Sequence, residues 1–433
     1  MTHNYKLRWL LCAALLLLAG AARAASVLFI ATGNVPQGKF HQLAEIARPH
    51  GINVEVRYLN SLPADVDAGL WRGRDAVFFD SYLQDEVRDR LVRALPGLKA
   101  PNAWLYDAQP AWGGGLSEAV ARRLITYYAS GGRQNYEGFF ATLAAQLKGA
   151  NALAAAPDPV VFPKTGIYHP RQSGLVTGDV HGYLRGQGVD TKAAARKPVV
   201  AIALHQQYIG SMQTATIDDM VARIEAGGAV ALPFYTPMMG EGGFPKILQP
   251  AGPGTPVLAD VLINTQITLN ADERRAEFER MGIPVIQAMT YRRGDEADWA
   301  ANPQGIATMD VPFYLAQAEY AGITDIQVAS AVRKGDEQIL PIAPQAAAVA
   351  AKALNLVKLQ RKPNADKRVA VMFWNYPAGE KNLSASFLNV PRSLQTTLAA
   401  MAASGYRTEV PPDETHLITL LQRLLAPAYR GGE

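Results

Sequence analysis

The chain has 433 residues, 49% of them hydrophobic and 18% charged, an ordinary globular balance with room for several domains. That composition excludes disorder, collagen-like repeats and a disulfide scaffold. The 42 Lys+Arg residues nearly cancel the 38 Asp+Glu, and basic clusters are missing, which argues against nucleic acid or an anionic membrane as a partner.

The first segment reads as a leader rather than as fold. Lys6 and Arg8 precede an apolar run over residues 10–20, and Ala22-Arg23-Ala24 supplies a small-x-small pattern. This is the layout of a secretory signal peptide, with cleavage predicted between Ala24 and Ala25. The run is short of the ~20 apolar residues a spanning helix needs, and no later stretch is long and apolar enough. The prediction is therefore a periplasmic or secreted protein with no membrane segment once the leader is cleaved. Cleavage removes Lys6, Arg8 and Arg23, taking the 42 positive residues to 39 against 38 negative ones. The single cysteine, Cys12, lies in the leader, so a mature chain has no disulfide, thiolate metal site or cysteine nucleophile.

Beyond the leader the pattern alternates between strand and helix. Residues 26–31 (SVLFIA) form the short apolar run a buried parallel strand needs. A helix is predicted over 39–50, with strands over 53–59, 75–80 and 103–107. Ser117 caps a helix to about residue 128 that Gly131-Gly132 ends, and a second helix covers 136–147. Residues 151–163, rich in Ala and Pro, read as a linker. A second series follows: strand 198–204 (PVVAIAL), helix 217–226 capped by Thr216, strand 229–235, strand 260–265, helix 272–281 and strand 283–288. The Gly/Pro stretch 237–256 reads as a surface excursion. An Ala-rich helix over 344–359 leads into strand 368–374, helix 391–404, a short strand near 407–410 and a helix over 414–425.

Alternating strands and helices imply an α/β fold of successive parallel-sheet, Rossmann-like units with helices on both faces. The predicted domains are a signal peptide at 1–24, a first α/β domain at 25–150, a linker at 151–165, a second α/β domain at 166–365 and the start of a third at 366–433. That last unit is small for a self-sufficient parallel α/β domain.

Catalytic signatures are missing: there is no GxxxxGK[ST], no strand-turn-helix GxGxxG, no HExxH and no GxSxG. The clusters Gly113-Gly114-Gly115 and Gly240-Glu241-Gly242-Gly243 are turns by default. No two histidines stand at metal-ligand spacing. His205 ends a predicted strand, where parallel α/β folds place ligand sites. His181 sits in a loop beside Asp179, and His169 in GIYHP positions a loop. The segment 374–382 (WNYPAGEKN) directly follows a predicted strand and offers Asn375, Lys381 and Asn382 to a ligand.

Several segments together resemble one family, the CobN cobaltochelatase and magnesium chelatase H-subunit proteins. They are LQRKPNADKRVAVMFWNYPAGEKNLSASFLNVPRSL (359–394), YYASGGRQNYEGFF (127–140), PKTGIYHP (163–170), PVVAIALHQQYIGSMQTATIDDMVARIEAGGAVALPFY (198–235), GIPVIQAM and GIATMDVPFYLAQAEYAG. Their shared order carries the resemblance. The chain departs from the family pattern at Tyr208, where a histidine is usual, and at Ala321, where an Asp is usual; Glu319 is kept. The resemblance implies a tetrapyrrole-binding chelatase subunit for insertion of Co(II) into hydrogenobyrinic acid a,c-diamide. It implies His205, Glu319, Asn375, Lys381 and Asn382 as ligand-binding residues, with no metal ligands assigned. Cobalt would be the family's metal, and ATP-Mg would act through partner subunits. The family's metal-insertion region lies beyond the matched part, so catalytic residues stay unassigned. The leader motivates a second reading, an exported, non-enzymatic corrinoid- or cobalt-binding protein working with an outer-membrane uptake system.

Overall fold

Apolar alternation in the first strands sets the first layer. The computed structural model describes residues 23–33, 35–81, 83–106, 110–172, 174–191, 196–237, 243–323, 325–373, 376 and 383–430. The leader pattern over residues 1–22 lies outside the described residues, and so do Asn375, Lys381 and Asn382. Strand β1 spans Ala25–Ala31, β2 Ile52–Tyr58, β3 Ala76–Asp80, β4 Asn102–Trp104 and β5 Ala111–Gly113. They form one sheet in the order β2-β1-β3-β4-β5. The first four are parallel and β5 returns antiparallel on β4. Val27, Phe29 and Phe78 pack on one face, with the helices Gln37–Ala47, Glu118–Ser130 and Arg133–Leu147. Leu28, Ile30, Val77 and Phe79 point to the other face, against Trp71, Val87 and Trp104. Burial on both sides is what an uninterrupted apolar run such as VLFIA provides. Ser117 accepts from the Val120 N–H as the N-cap of its helix.

A buried ion pair lies at the carboxyl end of this sheet. Lys39 Nζ donates to Asp80 Oδ2 at 2.9 Å, with side chains 9% and 18% exposed. The Tyr128 hydroxyl donates to the same oxygen at 2.7 Å, and the Lys39 ammonium sits 4.1 Å from the Tyr128 ring centre. Burial works most strongly against the charge on Lys39, but Asp80 and Tyr136 together outweigh it and hold the lysine pKa above its ordinary value.

The second sheet is larger. Its strands are β6 Gly166–Tyr168, β7 Val176–Thr177, β8 Val199–Ala203, β9 Val230–Tyr235, β10 Val261–Asn264, β11 Val285–Tyr291, β12 Asp325–Val332 and β13 Ile339–Pro341. The order is β13-β12-β11-β10-β8-β9-β6-β7. The middle strands β12, β11, β10, β8 and β9 are parallel, while β13, β6 and β7 pair antiparallel at the edges. From β8 the chain moves one way to β9, then crosses back to build β10, β11 and β12 on the other side. The α/β class holds, with antiparallel edges that the reading of purely parallel units did not include. Strands of two or three residues carry too short a pattern to be read from sequence, and β12 (DIQVASAV) is too polar at its start to announce itself.

Other expectations are corrected. The helix predicted to start after Thr216 begins at Ala215, with Thr214 as N-cap, and Thr216 is buried inside it. Within the stretch read as a surface excursion, Phe244, Ile247 and Leu248 enter the core around the short helix Pro245–Leu248, because three apolar side chains in five residues gain more by burial than by exposure. Residues 238–242, including Gly240-Glu241-Gly242, lie outside the described residues. Gly114 takes φ +64 in a turn beside Ala100, in keeping with the turn reading of the first glycine cluster.

The chain divides into two compact units, residues 1–354 and 355–433, and both large sheets belong to the first. In the second unit, β14 Ser384–Ala385 and β15 Leu388–Asn389 form a hairpin. Asn389 caps the helix Val390–Ala403, which packs with the helix Glu414–Arg430. Residues 368–373 and 407–410 form no strand. The first run is apolar enough and the second (RTEV) is mostly polar; a strand also needs a neighbour to complete its hydrogen bonds, and the described residues supply none. No helix among the described residues is long and apolar enough to cross a membrane.

Gly38 marks a close approach inside the first unit. A Cβ there would sit 2.4 Å from the Glu337 carbonyl oxygen and 2.6 Å from Gln213 Nε2. Its own carbonyl accepts from Gln338 Nε2 at 3.0 Å. Gly38→Ala gains up to about 1 kcal/mol of helix propensity but must displace backbone, at a cost of about 1–3 kcal/mol. A net loss of stability is expected, read as a lower urea midpoint. Asp80→Asn would leave Lys39 charged and unpaired, and should lower the stability by about 3 kcal/mol in the same measurement.

Candidate functional site

Strand order reverses at β8, so the connections leaving β8 and β10 diverge and open a crevice at their carboxyl ends, the usual ligand position in open α/β sheets. Side chains lash the two ends together. Thr265 Oγ1 donates to the Ala203 carbonyl at 2.9 Å, and Gln266 Nε2 donates to the Leu204 carbonyl at 2.7 Å. Beneath them Asn264 Nδ2 donates to Gln287 Oε1 at 2.9 Å, and Gln287 Nε2 donates to the Gln266 carbonyl at 2.9 Å. All four side chains are buried.

His205 is the residue that leaves β8. Its Nδ1 accepts the Gln207 N–H at 3.0 Å. That assigns the proton of the neutral ring to Nε2, which has no partner among the described residues. Burial first, and Arg292 second, push the imidazole pKa down, so the ring is a neutral donor. Arg292 follows β11 directly, hydrogen-bonds Tyr314 and lies in the field of Tyr208 and Asp310. Crowding opposes its charge, yet these neighbours raise its pKa overall. The nearest acid, Asp310, is not within ion-pairing distance, and burial holds its pKa above the ordinary carboxylate value against the pull of Arg292 and Arg293.

Tyr208 lines a narrow cleft with Gln213, Thr216, Thr265, Thr290 and Ser330. Gln213 is 2% exposed and Thr216 7%, and Gln213 Nε2 and Thr216 Oγ1 have no hydrogen-bond partner among the described residues. Thr236, after β9, and Thr268, after β10, have partnerless buried hydroxyls at the same edge. Unsatisfied buried polar atoms cost about 1–3 kcal/mol each and concentrate where function requires them.

The sequence-predicted residues part company here. His205 stands in the crevice. Glu319 lies exposed on the short helix Gln317–Tyr320, and no hydrogen bond or ion pair among the described residues joins it to His205. His181, read as a loop residue, lies in the short helix Val180–Gly186, and Asp179 is the N-cap of that helix, accepting from the Gly182 N–H at 2.7 Å. His169 is buried, with Nε2 3.0 Å from Glu225 Oε1 and Nδ1 accepting the Arg171 N–H, which ties down its loop. Arg292 was not read from sequence, although a cation straight after an apolar strand (IQAMTYRR) satisfies the rule that selected His205. Among the described residues no cluster of three or more His, Cys, Asp or Glu is placed to hold a metal ion.

Residues 125–429 match the CobN/Magnesium Chelatase family model, and the chain belongs to that family. It is 26% identical over 324 residues to the aerobic cobaltochelatase subunit CobN of a Sinorhizobium species, covering 69% of this chain and 24% of that protein. The CobN of Pseudomonas aeruginosa is 26% identical over 347 residues, covering 77% and 26%. The chloroplastic magnesium-chelatase subunit ChlH of Oryza sativa is 22% identical over 355 residues, covering 78% and 24%. The chain therefore spans about a quarter of the length of these relatives. The catalytic subunit of cobaltochelatase from Mycobacterium tuberculosis shares the fold, with a TM-score of 0.63 and 21% identity over 93% of this chain and 33% of that one.

The depressed His205 pKa has a consequence for stability. The unfolded chain binds this proton at about pH 6.5 and the folded chain only at lower pH, so stability should fall as pH drops below that value and be insensitive to His205 above it. His205→Asn keeps a capping oxygen and removes the titration. Urea midpoints between about pH 7.5 and 5.5 should decline less steeply for the variant than for the wild type; parallel curves would remove His205 as the cause.

Proposed function

We propose that this chain is the tetrapyrrole-holding part of a CobN-like cobaltochelatase large subunit, acting in insertion of Co(II) into hydrogenobyrinic acid a,c-diamide. The donor-rich crevice at the β8 reversal carries this reading. His205, Tyr208, Arg292, Tyr314 and Gln213 all offer N–H or O–H groups, and Asp310 acts on Arg292 from beyond ion-pairing distance. A macrocycle edged with carboxylate and amide groups presents the acceptors such a site lacks. Asn375, Lys381 and Asn382 remain proposed ligand contacts, and Glu319 a proposed outer contact. Cobalt is the substrate metal in this scheme, and ATP-Mg would act on partner subunits.

The second reading is an exported, non-enzymatic corrinoid-binding protein of the periplasm. The leader pattern favours it, and so does strand β1, which begins at Ala25 with its N–H bonded to the Gly51 carbonyl at 2.8 Å. A leader cut after Ala24 would leave the sheet whole.

Titrating the full chain with hydrogenobyrinic acid a,c-diamide, followed by tryptophan quenching, should give saturable binding at micromolar Kd or tighter, about 8 kcal/mol. A flat titration of folded protein would discard the tetrapyrrole reading. N-terminal sequencing after expression in a bacterium with an outer membrane separates the two settings. A periplasmic product starting at Ala25 favours the exported protein, and an uncut cytoplasmic product favours the chelatase subunit.

A further inference from the structure

Arg292 differs from the other half-buried arginines of its unit. Arg196 is held by Asp260 at 3.3 Å and Arg274 by Glu277 at 2.6 Å, with side chains 17% and 11% exposed. Arg292 instead remains exposed. It has Tyr314 as hydrogen-bond partner and no carboxylate within ion-pairing distance among the described residues. Around it stand Tyr208, Tyr314 and the neutral His205, donors without charge, with Asp310 acting on it only from beyond ion-pairing distance. One guanidinium among neutral donors balances a single carboxylate, which its planar fork binds through two parallel hydrogen bonds. A phosphate dianion would call for more positive charge.

A distorted helical turn adjoins this charge. Residues Val311–Ala316 form a π-helical turn, a rare geometry that recurs at functional sites. The widened turn sends Tyr314 inward, 3% exposed and packed with Met289, Tyr291 and Val328, where it reaches Arg292. Met309, Val311 and Phe313 stay outside at 72%, 40% and 39% exposure. The Phe313 carbonyl accepts the Thr268 N–H at 3.1 Å, which pins the turn to the segment after β10. Positions two apart on a helical turn do not share a face, so what the turn contributes here is Tyr314, brought to Arg292.

We propose that Arg292, with Tyr208 and His205, is a subsite for one peripheral carboxylate of the ligand. This rests on the reading that the crevice holds a tetrapyrrole, and it fixes which edge chemistry is chosen: an acid rather than an amide at the position next to Arg292. Discrimination follows from charge, since an amide cannot form the charge-assisted pair.

The full chain should be titrated with dicyanocobyrinic acid, whose side chains are free acids, and with dicyanocobinamide, in which they are amidated. Wild-type protein should bind the acid at least about tenfold more tightly, about 1.4 kcal/mol. Arg292→Met, at an exposed position with unchanged urea midpoint, should lose that preference while its affinity for cobinamide moves less than about twofold. Equal acid and amide affinities in the wild type, or an unchanged preference in Arg292→Met, would overturn the subsite while leaving tetrapyrrole binding intact. A wild-type chain that binds neither probe would remove the tetrapyrrole reading and this one with it.

Discussion

The pairing of β8 with β9 on one side and β10 on the other is the constraint on which the rest of the first unit depends. Because the chain reverses direction across the sheet at that strand, its connections cannot close over the ends of β8 and β10. The gap is held open rather than filled. Thr265 and Gln266 bond to the Ala203 and Leu204 carbonyls, and Asn264 and Gln287 bond to one another below. A fully apolar core at this depth would collapse more tightly. The amide network fixes the spacing instead, since every buried donor it satisfies would be costly to leave unmade.

On that rigid floor the electrostatics are lopsided. Elsewhere in the unit, charge is cancelled locally, as in Lys39 with Asp80 and Arg196 with Asp260. At the crevice the cation has tyrosines for company, the histidine is neutral, and Gln213 Nε2 and Thr216 Oγ1 are buried without hydrogen-bond partners among the described residues. The concentration of unmet donors at one edge of one sheet is what distinguishes a site from ordinary core polarity.

Family membership and site geometry speak to different scales. The family match extends over residues 125–429, across both compact units, whereas the crevice is made by residues between about Gly166 and Pro341 within the first. The relatives are about four times longer than the stretch they share with this chain. Ligand recognition, which needs only a rigid sheet edge and its loops, can reside in such a stretch.

The sequence by itself determined the elements whose signal is local. The apolar runs at β1, β3, β8 and β9 were legible because a parallel strand covered on both faces admits nearly unbroken apolar residues. Ser117 was legible as a cap because capping is a contact with a residue three positions away. His205 was legible as a crevice residue because it ends such a strand. Only the tertiary structure decided the rest. The edge strands β6, β7 and β13 exist because neighbours distant in sequence pair with them, and residues 368–373, as apolar as many true strands, form none because no such neighbour is supplied. Thr216 looked like a cap and became a buried partnerless hydroxyl, since the helix start was set by packing on β13. Above all, the meeting of Tyr208, Arg292 and Tyr314 joins positions up to about a hundred residues apart, and a charge left unpaired is a property of where its possible partners end up, which no local pattern records.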